Sequence, residues 1–449
     1  MHEVLQSLRT ILLMSFKDDF HKIIGAESYE EAERCVYKIP RKQKDNKYTN
    51  FFRNFKFFYE RLSQYNESQL NSFAKVFLNK CQIIEIKSWQ IEQAITMFNS
   101  LNSTGMPLSD ADIISAQLYS RSVEKNAFIE HWQSINSLAN QLSQRKIVGI
   151  DSVLQQFMYM NRAHEGHYKQ NEVTTPGVRK YYTLDHPELL EDPIALCDAF
   201  EKILDIWNRI KDYSVIKLLL KFNENFKMFL ISYLYRFDED SISEENVKPI
   251  AELLLRLFAL IEAGNVGYSA SNFKTFLFNE NFKLVDPNIS IETIAQDFNS
   301  HIINTWKENS VKDDLMEYDK NILVFLNEYL YAKEQNRYFD FDERVNVEHI
   351  MPASGHNIEA IRADAGIKTK EEFDSLANLL GNKILLEEDI NKSISNDWFK
   401  TKKGCTVKSK RGYRGSSFGM ALDLAKYPSD TWGKDDIQKY CCPVKLKTA

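Results

Sequence analysis

The chain has 449 residues with 43% hydrophobic and 27% charged content, enough for a buried core, and its net charge of −6 excludes a protein that binds polyanions over its whole surface. Any nucleic-acid contact must therefore be a local basic patch. The six cysteines (Cys35, Cys81, Cys197, Cys405, Cys441, Cys442) form no CxxC or paired framework, no signal peptide opens the sequence, and no run nears the roughly 18 apolar residues of a spanning helix, so a cytoplasmic protein with unpaired thiols and no membrane contact is expected.

Length suggests two or three domains, and few glycines and prolines beside many Lys, Glu, Leu and Phe favour helices. Apolar residues at helical spacing predict helices over 2–16, 50–64 and 67–80, with a basic loop at 38–50. CQIIEIK (81–87) is short and β-branched and predicts a strand, and SWQIEQAITMFNSLN (88–102) predicts a helix. Ser109, with Asp110 and Asp112 in the following turn, predicts a capped helix start and a helix over 110–145. Residues 164–186 break the pattern and predict a long surface loop. His164-Glu165-Gly166-His167 inside it has no further Cys or His nearby and reads as polar loop rather than a zinc site. From 188 to 334 helix follows helix, including 215–237 and 247–264, whose Met and Phe stripes read as core.

Near 336 the character changes. NRYFDFDERVNVEHIMP (336–352) predicts a strand entering a loop, NKILLE (382–387) a second strand and EDINKSISNDWFKTKK (388–403) a short helix. The fold expected is mainly α, helical bundle regions followed by a small C-terminal ββα domain. The expected division is 1–145, a helical middle domain at 146–335, and 336–449.

Glu348-His349, Gly381-Asn382 and Asn391 occur in that last domain in the order of an HNH, or ββα-metal, nuclease. Neutral imidazole is the group poised to activate water near pH 7, which assigns His349 as general base. A divalent cation at a phosphodiester wants oxygen ligands and keeps several waters, so Glu348 and Asn391 are the expected ligands of Mg²⁺ or Mn²⁺. Adjacent strand residues face opposite sides, so Glu348 and His349 share a site only if the strand ends there, as Pro352 suggests. Asn382 is expected to hold the loop that orients the imidazole. Lys400, Lys402, Lys403, Lys408, Lys410, Arg411 and Arg414 form a basic run without an acidic residue and are the expected contacts to DNA phosphates.

EHIMP, then NLLGNKILL, then DINKSISNDWFKTKK, then Trp432 with DDI at 435–437, resembles the C-terminal nuclease module of GmrSD-type restriction enzymes. The match runs through Glu348, His349, Pro352, Gly381, Asn382, Leu385, Leu386, Asn391, Asn396, Phe399 and Lys402. MFNSLNSTGMPLSDADIISAQL (97–118) resembles the stretch closing that family's N-terminal ParB-like module, which makes 1–145 the remainder of such a module. The resemblance implies a metal-dependent DNA endonuclease restricting modified or foreign DNA as antiviral defence. The module's Asp-Gly-Gln-Gln-Arg motif, implied to serve nucleotide hydrolysis, does not occur here. No nucleotide is therefore expected on this chain alone; a partner protein supplies that part, or the chain is a shortened one. The alternative is a non-catalytic or partner-dependent DNA-binding subunit of a defence complex.

Overall fold

Apolar residues three and four apart, with few chain breakers, leave most of this sequence no regular option but helix. The computed structural model is accordingly mainly helical, with one two-stranded sheet among its described residues. It describes residues 56–80, 109–166, 177–264, 267–342, 344–404 and 411–441, together with 28, 30 and 31. The predicted helices at 2–16 and 88–102, the strand at 81–87, the loop at 38–50, the start of the 50–64 helix and the basic residues Lys408 and Lys410 lie outside them.

The described residues fall into two compact units. The first is built from residues up to Met158 together with 177–204. It holds α1 (Glu67–Lys80), α2 (Asp110–Arg121), α3 (Lys125–Gln144), most of α4 (Ile150–His164) and the start of α5 (Pro193–Ile210). Ser109 caps α2 through the Asp112 amide, and Asp112 returns the bond, as the sequence predicts. The single helix expected over 110–145 breaks at Ser122, whose ψ of 134° is extended. The loop expected over 164–186 also gives way at its far end. There Tyr181 and Tyr182 are buried in a helical turn, and the Tyr182 hydroxyl donates to the Leu154 carbonyl at 2.8 Å. Two large aromatic side chains cannot stay on a surface loop when a core of Phe128, Trp132, Phe157 and Phe200 is there to take them.

The second unit runs from Tyr159 to 166 and from Asp205 onward. Its helices are α6 (Ser214–Leu219), α7 (Phe226–Leu234), α8 (Glu244–Ala263), α9 (Ala270–Val285), α10 (Ile291–Thr305), α11 (Glu308–Met316) and α12 (Ile322–Glu334). The aromatic stripes form its core: Phe229, Phe258, Phe273, Phe276 and Phe298 interlock with centroids 5.0–6.0 Å apart.

The same unit carries β1 (Val345–His349), α13 (Ile358–Asp364), α14 (Lys370–Ala377), β2 (Lys383–Glu387), α15 (Glu388–Ile394), α16 (Phe399–Lys403), α17 (Gly419–Leu424) and α18 (Lys434–Tyr440). The strand expected from 336 is confined to five residues, and two short helices intervene before β2. The strands pair antiparallel, with Glu348 opposite Ile384 and His349 opposite Lys383. α12 and α17 pack on β2, while α15 packs on both strands. Ser395, at φ +50°, stops α15 and splits the helix expected over 388–403.

Candidate active site

β1 alternates, and the alternation sorts the two adjacent motif residues onto different faces. Glu348 is buried at 6% exposure; His349 is half-buried. Behind β1, the Lys402 ammonium reaches Glu348 Oε1 at 2.5 Å, the His349 carbonyl at 2.7 Å and the Ile350 carbonyl at 3.4 Å. The fully buried Tyr413 hydroxyl donates to the same Glu348 oxygen at 3.3 Å. Burial pushes the Glu348 carboxyl up, and the Lys402 charge and hydrogen bonds from Lys402, Tyr413 and the His349 amide oppose it. Lys402 is shifted down by burial, with Glu348 opposing.

This arrangement bears on two expectations. Glu348 does not present an open carboxylate to a cation, because a buried ammonium already neutralises it. Lys402 does not face phosphate, because its side chain is 1% exposed. A carboxylate taken out of water needs a counter-charge beside it, and here the lysine supplies one.

On the other face, His349 keeps company with Asn378, whose side chain hydrogen-bonds the ring, and with Lys383 across the strands. Burial, first, and then the Lys383 charge hold the imidazole below its ordinary value; the Asn378 bond pulls the other way, and Lys402 adds a last, smaller lowering. The shift favours the neutral ring. Its Nε2 is buried without a hydrogen-bond partner. Lys383 is itself pinned, with its ammonium donating to the Asp319 carbonyl and to Asn321 Oδ1.

Asn382 latches the chain that leaves β1. Its Oδ1 accepts from the Met351 amide, and its Nδ2 donates to the Met351 and Ala377 carbonyls, all at 2.8 Å. Its own carbonyl accepts from the Ile350 amide at 2.8 Å. The preceding Gly381 has no room for a side chain: a Cβ there would lie 1.9 Å from the Ile437 carbonyl oxygen of α18. Asn391 is half-buried on α15.

The basic run divides by burial. Lys400, Arg411 and Arg414 are exposed, with Lys400 paired to Asp430 at 2.8 Å. The Lys403 ammonium donates to the Tyr427 and Ser429 carbonyls and to Asp430. Sequence reasoning missed Asn378 and Lys383, and it considered Tyr413 only as a possible stacking residue, not as a buried partner of Glu348. For Lys402 a signal existed: it lies three residues after Phe399, so on a helix the two share a face, and a buried Phe399 draws the lysine in with it.

A metal-ligand trio does occur elsewhere among the described residues. His131, Asp198 and Glu201 offer atoms within 4.8 Å of one another, but Asp198 is exposed and the imidazole already meets Glu201 at 2.9 Å, an ordinary surface contact.

With this geometry in hand, comparison with known families is informative. Residues 297–440 match the family described as "GmrSD restriction endonucleases, C-terminal domain", and residues 4–119 match "GmrSD restriction endonuclease, N-terminal domain". The N-terminal match precedes the C-terminal one, and together they take in more than half of the chain. The chain belongs to the GmrSD-type restriction endonucleases. A search among curated proteins finds no match. The C-terminal match spans β1, β2 and every residue just described around His349. GmrSD-type proteins are nucleases acting on DNA, and no described helix of this one is long and apolar enough to cross a membrane.

Proposed function

We propose that this chain is an HNH-type endonuclease in which His349 activates water against a DNA phosphodiester, in the service of restricting modified or foreign DNA. The observation that carries the reading is the setting of the imidazole: held by Asn378, followed by two residues whose amides Asn382 takes, and with Nε2 left without a partner. Water bound at that nitrogen would give it a proton as the water oxygen bonds to phosphorus and the ester P–O bond breaks. Lys400, Arg411 and Arg414 would lie along the flanking backbone, where exposed cations attract phosphates.

A Mg²⁺ or Mn²⁺ ion belongs to this reading. With Glu348 committed to Lys402, the expected donor left to the ion is the amide oxygen of Asn391, a hard ligand of the kind such ions accept alongside water. When bound, the ion would contact the scissile phosphate and stabilise the leaving oxygen.

The test is plasmid nicking by the purified chain with Mg²⁺ or Mn²⁺, beside a His349→Ala control. Nicking that the alanine variant lacks supports the reading. Equal nicking by both proteins overturns it, and cutting that appears only when a companion protein is added favours the partner-dependent alternative.

A further inference from the structure

We propose that Lys402 is a positioning residue for His349: its buried ammonium fastens the carbonyl side of the strand exit that carries the imidazole. The proposal rests on the reading of His349 as the base and adds how the ring is held.

A lysine ammonium has three donors, and burial requires each to find an acceptor. Lys402 finds three: Glu348 Oε1, the His349 carbonyl and the Ile350 carbonyl. A core position that needed only volume would be filled more cheaply by leucine or methionine. What the ammonium adds is a grip on two successive carbonyls of the peptides that carry and follow the histidine. Asn382 holds the opposite polarity of the same stretch, taking the Ile350 and Met351 amides. Residues 349–351 are thus tied on both the N–H and C=O sides, by groups 31 and 53 residues away in sequence.

Glu348 is the counter-ion that makes the grip affordable, and Tyr413 fixes that carboxylate. The two charges cancel, so the clamp presents a rigid neutral support from behind β1 rather than a charge to the substrate. This gives the adjacent acid and base of the motif separate jobs: one holds the lysine behind β1, the other, on the opposite face, reacts.

The test uses the full chain with ¹³C-labelled histidine. The variant pair Glu348→Gln with Lys402→Met replaces both charges by neutral groups of similar shape. We expect a folded protein whose His349 imidazole resonance, assigned by His349→Gln, shifts or broadens. Nicking kcat should fall about 10- to 100-fold, the scale of a misplacement of about 1 Å. KM for DNA and the Mg²⁺ concentration for half-maximal rate should stay unchanged.

An unchanged resonance with unchanged kcat overturns the proposal. A raised KM at constant kcat overturns it in favour of a DNA contact, and a raised Mg²⁺ requirement overturns it in favour of Glu348 as a metal ligand. If the double variant does not fold, Glu348→Asp keeps both charges and draws the ammonium back by about one carbon–carbon bond. It must still move the resonance, and failure to do so overturns the clamp. The resonance is read without turnover, so a wild-type chain that cuts nothing refutes the nuclease reading while leaving the clamp decided.

Discussion

Replacing Asn382 by alanine tests the latch at its centre. The side chain is fully buried and makes three hydrogen bonds of 2.8 Å, to the Met351 amide, the Met351 carbonyl and the Ala377 carbonyl. Alanine strands all three partners, and a buried polar group left unpaired costs roughly 1–3 kcal/mol. Three such groups, less what local relaxation recovers, predict a loss of about 4 kcal/mol in the stability of the strand exit. At 1.36 kcal/mol per factor of ten, hydrogen exchange at the Met351 amide should speed up by about three orders of magnitude. Asn382→Asp should do no better at neutral pH. It keeps an acceptor for the Met351 amide but turns an oxygen towards two carbonyls. An exchange rate within tenfold of wild type in the alanine variant would show that the amide is held by something other than this side chain, and the account of the latch would fall.

Other consequences are as definite. Because burial and Lys383 lower the pKa of His349, nicking should be flat around neutrality and fall only as the pH drops through a value below the ordinary 6.5 of imidazole. Lys383→Met should move that acid limb upward, and a limb above 6.5 in the wild type would refute the assignment. Gly381→Ala must push a methyl into the Ile437 carbonyl and the Cys441 amide of α18, and a loss of about 3 kcal/mol in thermal unfolding is expected; a melting point unchanged within a degree would contradict the packing. Glu328, buried on α12 and accepting from the Gly419 and Met420 amides, has its carboxyl raised to about 7 by burial, so its contribution to stability is full below about 4.5 and lost as pH rises through about 7. Glu328→Gln should therefore gain on wild type by roughly 3 kcal/mol between pH 4.5 and 8, and a gain that does not grow with pH would refute it.

Much of this site was legible because its signals are local. The Glu-His pair ahead of a proline, the Gly-Asn turn and the apolar NKILLE run each report through neighbours in sequence, and the strands fall close to where they were expected. What stayed hidden depends on partners far along the chain. A lysine in KTKK looks solvated until Phe399 is known to be buried beside it, and nothing adjacent to Glu348 declares that its charge is already met. Helices α13 and α14 escaped notice because they are seven and eight residues long, too short for periodicity to announce.

The distance along the chain between Glu348 and its counter-ion matters before the protein is finished. The acid leaves the ribosome 54 residues ahead of Lys402 and 65 ahead of Tyr413. Until both have emerged, β1 holds a carboxylate it cannot bury, and the strand exit that presents the histidine has no rear support.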